Sequence, residues 1–130
     1  MRKEFRKWHD KKERIDELPQ RPFFHDREIW FCYIGANVGV EQNGSEEEFL
    51  RPVVILRKFN NESFWAIPLT KAKKTDRVHY FSFTFMPGVI SAANLSQLRL
   101  IDARRLSRKI GEISESDFSE LTKRLKALLP

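Results

Sequence analysis

The stretch from residue 50 to residue 70, LRPVVILRKFNNESFWAIPLT, limits the fold more than any other part of the chain. Val53-Val54-Ile55-Leu56 is β-branched and continuously apolar, and Phe64-Trp65-Ala66-Ile67-Pro68-Leu69 is a second apolar run of mixed aromatic and aliphatic residues. Asn60-Asn61 between them tolerates left-handed backbone, so the two runs read as a β-hairpin with a short polar loop. A hairpin returns its ends to one place. Arg51, just before the first run, and Thr70, just after the second, are therefore expected at the same edge of a sheet, where a guanidinium and a hydroxyl can jointly hold a phosphate. An Arg-Pro at a strand start and a threonine at a strand end also suit a small barrel with no such task.

The chain has 130 residues, 41% apolar and 12% aromatic, which is enough for one domain with a core. No apolar run approaches the roughly 20 residues of a membrane helix. The N-terminus is charged where a signal peptide would be apolar, so a cytoplasmic protein without membrane attachment is expected. Cys32 is the sole cysteine and lies in the apolar segment 29–34, which excludes an intrachain disulfide and reads as core packing. His9, His25 and His79 include no i,i+4 pair and no Cys/His cluster, and neither GxSxG nor a phosphate loop is present. A serine-triad hydrolase and a metal enzyme are not expected, and no cofactor is.

The net charge of +6 is unevenly distributed. Residues 1–27 carry nine basic and six acidic side chains, and residues 28–50 carry five acids and no base. Residues 51–110 carry twelve bases against Glu62, Asp76 and Asp102, a net +9. Such a concentration points to a basic face for a polyanion, with nucleic acid the first candidate.

In chain order, residues 3–17 form an expected helix on which Phe5, Trp8 and Ile15 make a thin apolar stripe. Lys12 interrupts that stripe, so the helix needs a docking surface. Pro19 and Pro22 then mark a linker. Residues 28–34 read as a strand with Trp30, Cys32 and Ile34 on one face, and residues 35–49 as a long acidic loop of functional character. A further strand is expected over 78–85, where Tyr80, Phe81 and Phe83 beside Lys71, Lys73, Lys74 and Arg77 suit single-stranded RNA, while on the competing reading the aromatics are core, as alternate ones must be. A short strand over 88–93, an alternating segment over 95–101 and a final strand over 107–113 follow. Ser114, with Asp117 three residues on, starts a C-terminal helix striped by Phe118, Leu121, Leu125 and Leu128.

Six pieces in this order, REIWFCYIG (27–35), VGVEQNG (38–44), LRPVVIL (50–56), IPLT (67–70), SQLRLID (96–102) and the RKIGEI run before the last helix, resemble the MazF/PemK family of toxins from toxin–antitoxin systems. The resemblance spans about residues 28–129 and implies a mostly β fold with flanking helices, a small Src-homology-3-like β-barrel. Residues 1–27 would be an N-terminal helical extension and 28–130 the barrel domain. It further implies a homodimer, a cognate antitoxin and metal-independent cleavage of single-stranded RNA, in which the 2′-hydroxyl attacks the adjacent phosphate.

By the same resemblance Arg51 and Thr70 are the catalytic pair on the scissile phosphate, and Glu41 and Gln42 belong to a loop that covers RNA. With Lys71, Lys73, Lys74, Asn94, Ser96 and Arg99 they make up the expected substrate-binding set. The chain departs from the family pattern in an acidic insert, SEEEFL, at 45–50, and in Ser96, which stands where many members have aspartate. It departs again in Asn94, which stands where some members have a functional arginine. Catalysis then rests on Arg51 and Thr70. The alternative expectation is an inactive barrel that binds RNA or a protein partner.

Overall fold

The computed structural model describes residues 7, 8, 11, 12, 15, 22–34, 50–71 and 76–130. Among the described residues seven strands and a C-terminal helix follow in order: β1 (Glu28–Tyr33), β2 (Leu50–Lys58), β3 (Ser63–Lys71), β4 (Tyr80–Met86), β5 (Val89–Asn94), β6 (Arg99–Asp102), β7 (Leu106–Glu112) and α1 (Glu115–Ala127). Two 3-10 turns, Leu95–Gln97 and Ala103–Arg105, flank β6. This is the mostly β architecture with a C-terminal helix that the sequence led us to expect.

The strands form one antiparallel sheet in the order β4-β5-β3-β2-β1-β7, with β6 added to β3. Strand β3 is the pivot. Its first half pairs with β6 (Ser63↔Asp102 to Ala66↔Arg99) and its last residues pair with β5 (Leu69↔Ala93 to Lys71↔Ser91). One strand thus serves two partners on the same side, which curls the sheet into a half-barrel. The hairpin loop is closed as its residues suggest: Asn60 Oδ1 accepts from the backbone N–H of Glu62 at 2.8 Å and of Ser63 at 3.0 Å.

Alternation of side chains splits the interior into two cores. One face gathers Phe24, Trp30, Cys32, Ile34, Val53, Ile55, Phe64, Ala66 and Ile101. The other gathers Ile29, Val54, Ile67, Leu69, Phe81 and Phe83, and it is closed by Phe118, Leu121 and Leu125 of α1. Ser114 caps α1, its Oγ accepting from Asp117 N at 3.1 Å. The apolar stripe of the helix is therefore spent on the barrel, except for Leu128, which is 36% exposed beyond the last helical turn.

Three expectations need correction. The strand expected from residue 78 begins at Tyr80, because Asp76 Oδ1 accepts from the N–H groups of Val78 and His79 and holds them in a turn. The alternating segment 95–101 is split, its first three residues forming a 3-10 turn that buries Leu95. Phe81 and Phe83 are not available for bases: their rings stack at 5.8 Å inside the second core, with only 6% and 5% of their surface exposed.

Of the expected N-terminal helix, Lys7, Trp8, Lys11, Lys12 and Ile15 have helical backbone, and the other residues of 3–17 lie outside the described set. Trp8 and Ile15 are buried, and both pack on Tyr33 of β1. The loop expected over 35–49 also lies outside the described residues.

Candidate functional site

The site follows from the β2–β3 register. Val53 pairs with Pro68 and Val54 with Ile67, so Arg51 and Thr70 each lie two residues beyond the last β2–β3 pair, at the same end of the hairpin. Arg51 is the partner of Cys32 on β1, so its side chain shares the face of the first core. The guanidinium is half-buried, and Nη1 donates to the carbonyl oxygen of Leu69 at 3.5 Å. Burial lowers its pKa from the ordinary arginine value. Beside it Thr70 Oγ1 is shut off from solvent and has no hydrogen-bond partner. Buried hydroxyls are nearly always paired, and leaving one unpaired costs about 1–3 kcal/mol, so this atom is a donor awaiting an acceptor.

Two further arginines approach the same end of the first core. Arg99 on β6 pairs with Ala66 and so shares its face. Arg105 closes the second 3-10 turn beside Leu106, the β7 partner of Cys32. Burial lowers the pKa of Arg105, and the like charge of Arg99 lowers it further. The Cys32 thiol, completely buried, is pushed up to about 12 even though both arginines favour its thiolate. It is packing, not a nucleophile.

Arg105 was not among the sequence candidates. It stands next to Arg104 in a run of similar residues, and only the fold separates them. Arg104 turns back onto Asp102, with Nε to Oδ1 at 3.2 Å and Nη2 to Oδ2 at 3.1 Å, while the Arg105 guanidinium lies over the Trp8 ring at 5.5 Å.

The remaining candidates divide. Lys71 is exposed at the end of β3, one residue past Thr70. Asn94 is buried at the end of β5, and its Oδ1 accepts from Ser96 Oγ at 2.9 Å, so these two residues act on each other. Glu41, Gln42, Lys73 and Lys74 lie outside the described residues. Among the described residues no group of three or more His, Cys, Asp or Glu side chains is placed to hold a metal ion. No helix there is long and apolar enough to cross a membrane.

The arrangement sets three guanidinium groups and one unpaired hydroxyl around the Cys32 end of the first core, chemistry suited to a phosphate. A family model described as "PemK-like, MazF-like toxin of type II toxin-antitoxin system" matches residues 26–129. The chain belongs to this toxin family. Its members are toxins of type II toxin–antitoxin systems and are generally endoribonucleases. No curated protein matches the sequence.

Solved MazF structures share the fold at low sequence identity. MazF from Deinococcus radiodurans superimposes with a TM-score of 0.66 at 19% identity, covering 84% of this chain and 96% of that one. An endoribonuclease in complex with its cognate antitoxin from a mycobacterial species gives 0.63 at 13% identity over 83% and 98% of the two chains. The Mycobacterium tuberculosis toxin MazF-mt6 gives 0.59 at 16% identity over 78% and 94%. The family match begins at residue 26, after the N-terminal helical residues.

Proposed function

We propose that this MazF/PemK-family toxin is a metal-independent endoribonuclease that cuts single-stranded RNA at a phosphate held by Arg51 and Thr70. The observation that carries the reading is the buried, partnerless Thr70 hydroxyl at the hairpin end that also bears the half-buried Arg51 guanidinium. A phosphate that displaces the contacts over Thr70 accepts its proton through one oxygen while Arg51 takes another. When the 2′-hydroxyl attacks the phosphorus, negative charge builds on those oxygens, and donors already fixed by β2 and β3 stabilise it without reorganising. The new P–O2′ bond forms as the P–O5′ bond breaks. The 2′-oxygen gives up its proton, the leaving 5′-oxygen gains one, and the products are a 2′,3′-cyclic phosphate and a 5′-hydroxyl. Arg99 and Arg105 neutralise the flanking backbone.

In this reading residues 28–130 are the catalytic barrel and 1–27 an added helical extension. The protein works in the cytoplasm as a homodimer restrained by a cognate antitoxin. Solved relatives with antitoxin bound support the partner. The large apolar surfaces of Phe59, Trp65 and Leu100, exposed by 46%, 42% and 62%, support a further protein contact. Light scattering should then report about twice the 15.5 kDa chain mass.

The deciding experiment incubates purified protein with single-stranded RNAs of varied sequence in EDTA. Cleavage to cyclic-phosphate ends is expected, and a 2′-O-methyl group at the cut position should abolish it. Intact RNA throughout would overturn the catalytic reading, leaving a barrel that only binds.

A further inference from the structure

We propose that the N-terminal helical residues and the outer face of β1 and β7 form a cation track, which carries the RNA strand away from the Arg51–Thr70 recess. The inference rests on the RNA-binding part of the reading above but not on cleavage. Its basis is three cations, each seated on an aromatic ring. Lys11 Nζ lies 4.5 Å from the centre of the Tyr33 ring, Arg108 lies 4.6 Å from Phe31, and Arg105 lies 5.5 Å from Trp8. Phe31 and Tyr33 are alternate residues of β1 and share its outer face, opposite Cys32, and Arg108 is the β7 register partner of Phe31. A ring face orients a cation without neutralising it, so these side chains lose freedom yet keep their full charge. That is the arrangement a backbone of phosphates needs.

The track joins the recess at Arg105. This residue feels Cys32 and Arg99 on the inner side and covers Trp8 on the other, so it belongs to both surfaces. Trp8 and Ile15 anchor the N-terminal residues on Tyr33, and Lys7, one helical turn before Lys11, is exposed. Among the described residues of this segment, Trp8 presents its indole to Arg105, and Lys7, Lys11 and Lys12 add charge of the same sign. The family match does not include it, so the extension sets how much RNA this chain grips.

The test uses the full chain and a 2′-O-methyl oligonucleotide of about 12 nucleotides, a length a small barrel can cover, which binds without being cut. Affinity is measured against salt concentration for wild type, for Lys11→Gln/Arg108→Gln and for Lys123→Gln/Lys126→Gln on α1. Each lost phosphate contact should lower the slope of log affinity against log salt by about 0.7. The first double variant should therefore show a shallower slope and weaker binding, and the α1 variant, with the same charge removed, should match wild type. Lys11→Arg/Arg108→Lys should retain the wild-type slope. Equal slopes for all variants, an equal fall in the α1 variant or no binding by wild type would overturn the track. RNA that is bound with this dependence yet never cut in its unmodified form would leave the track standing and remove the catalytic reading.

Discussion

Arg51 and Thr70 lie at the same end of the β2–β3 hairpin, two residues beyond its last pair, one with its guanidinium on the Leu69 carbonyl and the other with a buried hydroxyl that bonds to nothing. That asymmetry separates a functional hydroxyl from a structural one. Thr70→Val removes an unpaired polar group, so stability should hold or rise by about 1 kcal/mol. RNA cleavage should fall by about 100-fold or more, since a preorganised donor is lost. Urea denaturation and cleavage assays on the same preparation check both halves, and a loss of stability with full activity would make Thr70 a packing residue.

Arg51→Lys keeps a positive charge but replaces a planar fork with a point charge. Binding of a non-cleavable RNA should persist while cleavage is lost. Cleavage within about threefold of wild type, under ~1 kcal/mol in barrier, would place Arg51 outside the chemistry.

Glu28 anchors the start of β1. Its side chain is only 9% exposed, and burial works against its charge. Hydrogen bonds from Trp30 Nε1 at 3.0 Å and His25 N at 2.9 Å, with Lys109 at 3.3 Å, outweigh that cost and hold its pKa below the usual glutamate value. A folded-state pKa that is depressed contributes stability above the unfolded value and loses it as pH falls through the folded value. Glu28→Gln should therefore cost about 2 kcal/mol at neutral pH, and the gap to wild type should narrow once pH drops below the ordinary glutamate range and close as it falls through the depressed folded value. Denaturation midpoints across that range provide the measurement, and a gap independent of pH would remove the charge from the explanation.

Gly111 on β7 pairs with Ile29, and a Cβ placed there would come within 2.7 Å of the Phe85 ring. Gly111→Ala should destabilise by about 1–3 kcal/mol through overpacking. Shortening the ring in Gly111→Ala/Phe85→Leu should recover part of that loss. Thermal melts of the single and double variants test it, and a single variant as stable as wild type would show that the ring moves aside freely.

Local pattern was sufficient for the hairpin, the first strand and the capped C-terminal helix, because each is written in side chains a few residues apart. Val53 to Leu56, the Asn60-Asn61 loop and the Ser114 cap needed no distant partner to be legible. That Arg51 and Thr70 lie at one end of the hairpin was legible for the same reason, since a hairpin brings its two ends together. Three things were decided only by tertiary packing. Phe81 and Phe83 entered the core because α1 closes over their face, a contact far along the chain that propensity does not register. Arg105 parted from Arg104 because Asp102 captured one guanidinium and the other came to lie over Trp8. Trp8 found its place against Tyr33 and Arg105, which nothing local to a thin helical stripe could specify. Short-range order follows from backbone geometry and spacing, whereas a binding surface is assembled from strands whose order only the closed sheet determines.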